Sequence, residues 1–216
     1  MDPTAVWDAF GRKAAPDLPR FEWTQYTQHG PGIEILDTGP GRAVLDLGIG
    51  KGLHAPHVLA TGAKMVGIDF SPVQIAWARQ RLGNTVELHQ GDVLEVLGRP
   101  EMEERFDSVY SRFGAHWYLD PELLFPLVRR VLRPNGVFAF SHRETECDCV
   151  GPNLHSVRDS AGGFNKTLRW DYPVEGWAGF LRVEGFVDIT ARVVPPPAEA
   201  NEQATGTVLV AARRGR

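Results

Sequence analysis

Val44 to Gly52 read VLDLGIGKG, an apolar run that breaks into glycines at alternate positions, Gly48, Gly50 and Gly52. No side chain there keeps a ligand away and positive φ is allowed, so a strand ending in such a loop ahead of a helix suits a nucleotide. The dinucleotide fingerprint wants a further glycine where this chain has Leu53, and the loop departs from it at that point. Asp46, inside the apolar run, must meet a cationic or hydrogen-bonding group if it is buried, and a ligand bearing an ammonium group would serve directly or through water. Asp69 follows Gly50 by nineteen residues and closes a second apolar run, where a carboxylate can accept from two ribose hydroxyls. In GDV, Asp92 can accept from an exocyclic amine and the Val93 N–H can donate to a ring nitrogen, which together would read adenine. Capping a helix is an equal reading for either aspartate alone. Features of this kind at the ends of successive parallel strands point to a ligand, because open α/β sheets bind at that edge.

Those positions require a sheet. AVLDLG (43–48), AKMVGIDF (63–70), NTVELHQ (84–90), RFDSVYSRF (105–113) and GVFAFSH (136–142) are rich in β-branched and aromatic residues and read as strands. Between them LHAPHVLATG, SPVQIAWARQRL and PELLFPLVRRVL carry apolar residues at helical spacing; the last two start from a capping Ser71 or Asp120 followed by proline. The alternation predicts an α/β fold with a parallel sheet covered on both faces. From 143 to 172 no period is evident, which predicts a substrate loop or lid. A helix ending at Gly185 and two strands, VDITARVV and TVLVAARR, complete the chain. Residues 1–42, with Trp7, Phe10, Phe21, Trp23 and Tyr26, either cover the site or pack on the sheet.

The chain has 216 residues, 43% hydrophobic and 23% charged, with a net charge of −4. This predicts one domain over 1–216, no membrane span, and no basic stripe for nucleic acid. The first residues show no export leader, and Cys147 and Cys149 are too few for a disulfide framework, so a cytoplasmic, reducing location is expected.

In order and spacing, VLDLGIGKG, GIDFSPVQIAWAR, QGDVLEV, FDSVYSRFGAHWYLDP and LRPNGVFAFSH resemble the successive motifs of class I S-adenosylmethionine-dependent methyltransferases. The resemblance runs from about residue 43 to 142, and the tail fits the family's last two strands. It implies a Rossmann-like three-layer sandwich around a seven-stranded, mostly parallel sheet of order 3-2-1-4-5-7-6, the last strand antiparallel. The implied cofactor is S-adenosyl-L-methionine, the product S-adenosyl-L-homocysteine. By the same resemblance Gly48, Gly50 and Gly52 approach the methionine part, with Asp46 toward its amino group. Asp69 holds the ribose with Gln74 nearby, Phe70 flanks adenine, Asp92 and Val93 read its edge, and Ser111 faces the methionine. Tyr26 would reach the cofactor carboxylate.

Methyl transfer from a sulfonium is an in-line displacement with an activated donor, so the protein mainly aligns the partners and excludes water. A base is needed only if the nucleophile starts protonated; His116 and His142, just beyond strands four and five, are the candidates. Their alternative role is to cap a helix or fill a loop. Phe113, Trp117, Tyr118 and Trp170, with Phe164 and Tyr172, would line an acceptor pocket suited to an apolar or ring-bearing small molecule, the alternative being ordinary core. Strand four ends in SRFG and lacks the Asn/Asp-Pro-Pro-aromatic set that resembling enzymes use on amide or adenine nitrogens. No clustered acidic set of the magnesium-dependent type is present, and His142, Cys147, Cys149 and His155 match no usual zinc spacing, so no metal is expected. The reading is metal-free methylation of a small molecule, a specialised metabolite, by a monomer or homodimer. The competing readings are an NAD(P)-dependent oxidoreductase, disfavoured by Leu53 and by the lack of a Tyr-x-x-x-Lys pair, and a non-catalytic S-adenosylmethionine-binding protein.

Overall fold

A computed structural model describes residues 4–11, 15–145, 149–158 and 164–216. Its sheet has seven strands in the order β3-β2-β1-β4-β5-β9-β8. β1 (Ala43–Leu47), β2 (Lys64–Asp69), β3 (Val86–Gln90), β4 (Phe106–Arg112) and β5 (Leu132–Arg143) are parallel; β9 (Thr207–Arg214) runs antiparallel between β5 and β8 (Phe186–Val194). Counting only the strands of this sheet, the order is the 3-2-1-4-5-7-6 that the resemblance implied. The central strands are buried on both faces, so they read as near-continuous apolar runs.

The helices cover the two faces. On one, α4 (Val93–Leu97), α5 (Pro121–Val131) and α6 (Val174–Val183) bury Val96, Leu124, Phe125, Val128 and Trp177 against Phe138 and Phe140. On the other, α2 (Ala55–Leu59) and α3 (Pro72–Leu82) bury Val58, Ile75 and Ala78, joined by Phe21 and Trp23 from the N-terminal segment. The helix starts follow from local chemistry. Ser71 Oγ accepts from Gln74 N–H at 3.2 Å, Asp92 Oδ1 from Leu94 N–H at 2.7 Å, and Asp120 Oδ1 from Glu122 N–H at 3.0 Å, each satisfying an N–H that the helix itself leaves unpaired.

The N-terminal segment divides between its two expected roles. α1 (Thr4–Gly11) lies across α3, with Ser71 Oγ donating to Asp8, whereas Phe21 and Trp23 are buried against Tyr110 of the sheet. The side chain of Phe10 lies outside the described residues.

The segment expected to be an unstructured lid is instead an antiparallel hairpin of its own, β6 (Gly151–Arg158) on β7 (Phe164–Asp171). A two-stranded ribbon standing off the core is half-wet on both faces, so NLHSVR and NKTLRW lack the clean alternation that marks a sheet strand. Asp171, fully buried, fastens the ribbon: it accepts from Trp117 Nε1 at 3.3 Å and Thr145 Oγ1 at 2.9 Å, and its other oxygen lies 2.5 Å from His155 Nε2. Among the described residues no helix is long and apolar enough to cross a membrane.

Candidate functional site

A cavity of about 530 Å³ opens at the C-terminal ends of β1 to β4, within the range of small-ligand pockets. Gly48 and Gly50 form its floor. Asp69, Phe70 and Gln74 come from the β2 end and α3, Asp92 and Val93 from the β3 end, and Phe113, Gly114, Ala115, Tyr118 and Leu119 follow β4. α1 contributes Val6 and Trp7, and β7 contributes Lys166, Thr167 and Leu168. The cavity thus has a strand-end floor, a helical cover and a ribbon wall. Another hollow, on the outer face of α3 by Trp77 and Gln80, contains none of the residues singled out from the sequence.

The three loop glycines have different tasks. At Gly48 a Cβ would stand 2.8 Å from the Ala115 backbone nitrogen, so this glycine lets two loops touch. At Gly52 a Cβ would stand 2.7 Å from Leu82 Cδ1, so this one lets α3 close on the loop, and it is not on the cavity wall. Gly50, at φ +55°, turns its N–H onto Asp69 Oδ2 at 2.9 Å and leaves its bare face to the cavity, where an added Cβ would meet only Gln74 Oε1, at 3.8 Å.

Asp69 also accepts from Ser71 N–H through Oδ1 at 2.9 Å. Burial raises its pKa against those N–H donors, and Asp8 on α1 adds to the rise. Backbone N–H groups of Ser71, Gly50 and Phe70 thus meet this carboxylate, which borders the cavity. Asp92 spends Oδ1 on capping α4, where it accepts from Leu94 and Glu95 N–H, and has Oδ2 available beside the cavity. Capping and ligand binding are thus compatible uses of one carboxylate. Val93 begins α4, so its N–H lies outside the helix's own ladder. Gln74 Oε1 is buried without a hydrogen-bond partner, while its Nε2 donates to Trp7 O at 3.3 Å. A ligand made of adenine, ribose and an amino-acid end fits these groups: acceptors at Asp69 and Asp92, a donor at Val93, an unpartnered amide oxygen at Gln74 and a floor without side chains.

Phe113 faces the cavity from φ +50°, uncommon for a bulky residue, held by its N–H on Ser141 O at 2.7 Å and by the Arg112 guanidinium 4.7 Å from its ring centre. Trp7 of α1 meets Tyr118 edge-on at 4.5 Å and Phe70 at 6.4 Å, so the cover is aromatic.

Several residues expected at the site stand elsewhere. Asp46 is not on the wall; it is buried one layer below the glycine loop, where desolvation drives its carboxyl up to about 7 against the Tyr110 hydroxyl beside it, with Asp69 adding to the rise and Arg112 opposing it. Ser111 ties β4 to β1, donating to Leu47 O at 2.7 Å and accepting from His116 N–H at 3.3 Å. Tyr26 reaches the loop before β9, its hydroxyl donating to Thr205 O at 2.8 Å. Trp117 lies behind the wall, stacked on His142 at 4.9 Å with the Arg169 guanidinium 4.1 Å over its other side, and Trp170 packs on the aromatic core.

Neither expected base borders the cavity. His116 and His142 are fully buried, 5.5 Å apart among Phe140, Trp117 and Trp177. Burial holds His116 well below the usual imidazole range and His142 at about 4, so both are neutral at pH 7. Their surroundings are those of packed core side chains. Of the cysteine–histidine set considered for a metal, Cys147 lies outside the described residues, and His155 Nε2 is taken up by Asp171. His142 Nδ1 lies 2.8 Å from Arg143 O. The side chain of Phe164 is likewise outside the described residues, and Tyr172 packs on Trp177 and Phe180.

Sequence reasoning passed over Lys166, Thr167 and Leu168, which fell in the stretch without a period, and Gly114, whose Cβ would meet Leu47 O at 2.5 Å. Its signal was the small pair GA directly after a strand end.

Residues 45–140 match the model of a methyltransferase domain family. The chain is 27% identical over 198 residues to the malonyl-[acyl-carrier protein] O-methyltransferase of Salmonella typhimurium, covering 85% of this chain and 72% of that one. It also superposes on the 1,6-didemethyltoxoflavin-N1-methyltransferase of Burkholderia thailandensis, solved with 1,6-didemethyltoxoflavin and S-adenosylhomocysteine (24% identity, 82% and 72% of the two chains, TM-score 0.61). An S-adenosylmethionine-dependent methyltransferase of Mesorhizobium loti is similar as well (22% identity, 84% and 94%, TM-score 0.64).

Proposed function

We propose that the chain is a class I S-adenosylmethionine-dependent methyltransferase, as the family match over residues 45–140 and the order of its motifs support, and that it methylates a small-molecule acceptor, a specialised metabolite, held between the β4 end and the β6–β7 ribbon. S-adenosylmethionine, when bound, supplies a methyl group already activated on a positively charged sulfur. The chain's own residues then have three tasks. Asp69 accepts from the ribose hydroxyls and keeps the Gly50 turn in place; Asp92 Oδ2 and the Val93 N–H read adenine, with Phe70 on its flank and Gln74 beside the ribose. Phe113, Tyr118, Leu119 and Leu168 orient the acceptor and exclude water, since displacement at a charged sulfur is favoured where both reactants leave solvent. Asp46, beneath the loop, favours an ammonium group above it by charge across one layer of backbone.

No histidine base enters this reading, because both candidates are fully buried and neither borders the cavity. Alignment carries the reaction, metal-free, for an acceptor that presents a lone pair.

The observation that carries the proposal is the ribbon wall. Lys166, Thr167 and Leu168 wall one side of the strand-end cavity, whose volume of about 530 Å³ suits a small ligand. Of the relatives, one is named for a malonyl-[acyl-carrier protein] acceptor and another was solved with 1,6-didemethyltoxoflavin bound. The test is calorimetric titration with S-adenosylmethionine, S-adenosylhomocysteine and reduced nicotinamide dinucleotide side by side, followed by an acceptor screen that reads S-adenosylhomocysteine release. Micromolar binding of the first two and turnover with a small acceptor support the proposal. Tight binding with turnover on no acceptor favours a non-catalytic binder, and dinucleotide binding alone overturns the cofactor site.

A further inference from the structure

The ionisable groups on the cavity wall are segregated. Asp69 and Asp92 stand at the β2 and β3 ends, whereas Lys166, the one cation on the wall among the described residues, comes from β7. β7 packs on the turn after β4, and in the sheet order β3-β2-β1-β4 this is the far side from Asp92. Lys166 is therefore at the acceptor end.

Among the described residues no ion pair neutralises it. Across the ribbon Lys166 faces Ser156. Asp171, on the same strand, is fully buried and occupied by Trp117, Thr145 and His155. Arg169 adds a second positive charge behind the wall, its guanidinium 4.1 Å over Trp117 and 5.8 Å from the Tyr118 ring centre, with a buried Nε that has no acceptor. Around this positive end the wall is apolar: Phe113, Tyr118, Leu119 and Leu168.

We infer that the acceptor carries a carboxylate on an apolar or aromatic body, and that Lys166 is the residue that selects it. The inference rests on the methyltransferase reading above and narrows its substrate class. An apolar body satisfies the Phe113–Leu168 wall and the carboxylate meets the ammonium at the rim, which fixes two points of the acceptor and hence its orientation. A neutral amide of the same shape loses the charge-assisted contact and leaves the lysine facing a carbonyl dipole.

The full chain saturated with S-adenosylhomocysteine is titrated with three matched pairs: benzoate and benzamide, indole-3-acetate and indole-3-acetamide, octanoate and octanamide. At least one acid is expected to bind about tenfold or more tightly than its amide, the scale of one charged hydrogen bond. Lys166→Ala removes that preference, Lys166→Arg keeps it, and the affinity for S-adenosylhomocysteine stays the same in all three proteins. Because Lys166 is exposed, both variants should fold. Amides that bind as tightly as acids, a preference that survives in Lys166→Ala, or no acid binding at millimolar concentration overturns the inference. Failure of S-adenosylhomocysteine itself to bind is a separate result, which removes the cofactor reading underneath.

Discussion

Replacing Asp46 by asparagine probes the charge buried beneath the glycine loop. Asp46 is 5% exposed, and desolvation moves its carboxyl from an ordinary 3.8 to about 7. Between about pH 4 and 7 the native protein therefore holds a proton that the unfolded chain has lost, so this group makes stability fall as pH rises. Below that window the carboxyl is protonated in both states, and above it ionised in both, so its contribution is flat. At about 1.4 kcal/mol per pH unit, a window of about three units gives roughly 4 kcal/mol in total. Asparagine does not titrate and keeps nearly the same shape. Urea unfolding of both proteins from pH 4.5 to 8.5 should show the stability of the wild type relative to Asp46→Asn falling by about 2 to 4 kcal/mol up to pH 7 and then levelling. A difference that stays flat across the range would refute the argument that burial, and not a compensating partner, governs this carboxyl. A bound ammonium favours the ionised form, so near pH 6 cofactor binding should release a proton. The observed enthalpy then depends on the buffer's ionisation enthalpy in the wild type and not in the variant.

Asp69→Ala is expected to weaken S-adenosylmethionine binding more than tenfold, since it removes the ribose acceptor and also frees the N–H groups of Gly50 and Ser71; calorimetry showing unchanged affinity would count against the site. Gly48→Ala should lower the melting temperature further than Gly50→Ala, because only the former drives a Cβ to 2.8 Å from backbone, while Gly50→Ala should lose more cofactor affinity than stability. His116→Leu takes two unpartnered nitrogens out of the core, so thermal stability should hold or rise and turnover stay within about threefold. A tenfold loss of turnover in a folded variant would restore a base at this position.

The sheet was readable in the sequence because its central strands are buried on both faces and flanked by turn residues and caps. The ribbon was not, since a strand pair off the core has no dry face to impose alternation. Along the strand ends, Gly50, Asp69, Asp92, Phe113 and Tyr118 border the cavity at positions that strand boundaries alone could place. The positions that do not border it show what spacing cannot resolve. Asp46 and Ser111 each stand two residues before a wall residue, Gly48 and Phe113, yet are taken up inside the sheet, Asp46 beside the Tyr110 hydroxyl and Ser111 on Leu47 O. Tyr26 is drawn off by Thr205, a partner 179 residues away, and the two histidines by aromatic packing that involves α6. Such long-range partners leave no trace in local patterns.

The cover helix has a thermodynamic consequence. α1 has eight residues, too few to hold a helix in water without the surface it rests on, so its folding and its docking on α3 are one equilibrium. While docked, Val6 and Trp7 form part of the cavity lining, so lifting of the helix would take away part of its cover. The apparent affinity is the intrinsic one scaled by the fraction of molecules with α1 docked. Affinity can therefore be tuned by changes on the outer face of a short helix that stands apart from the strand ends.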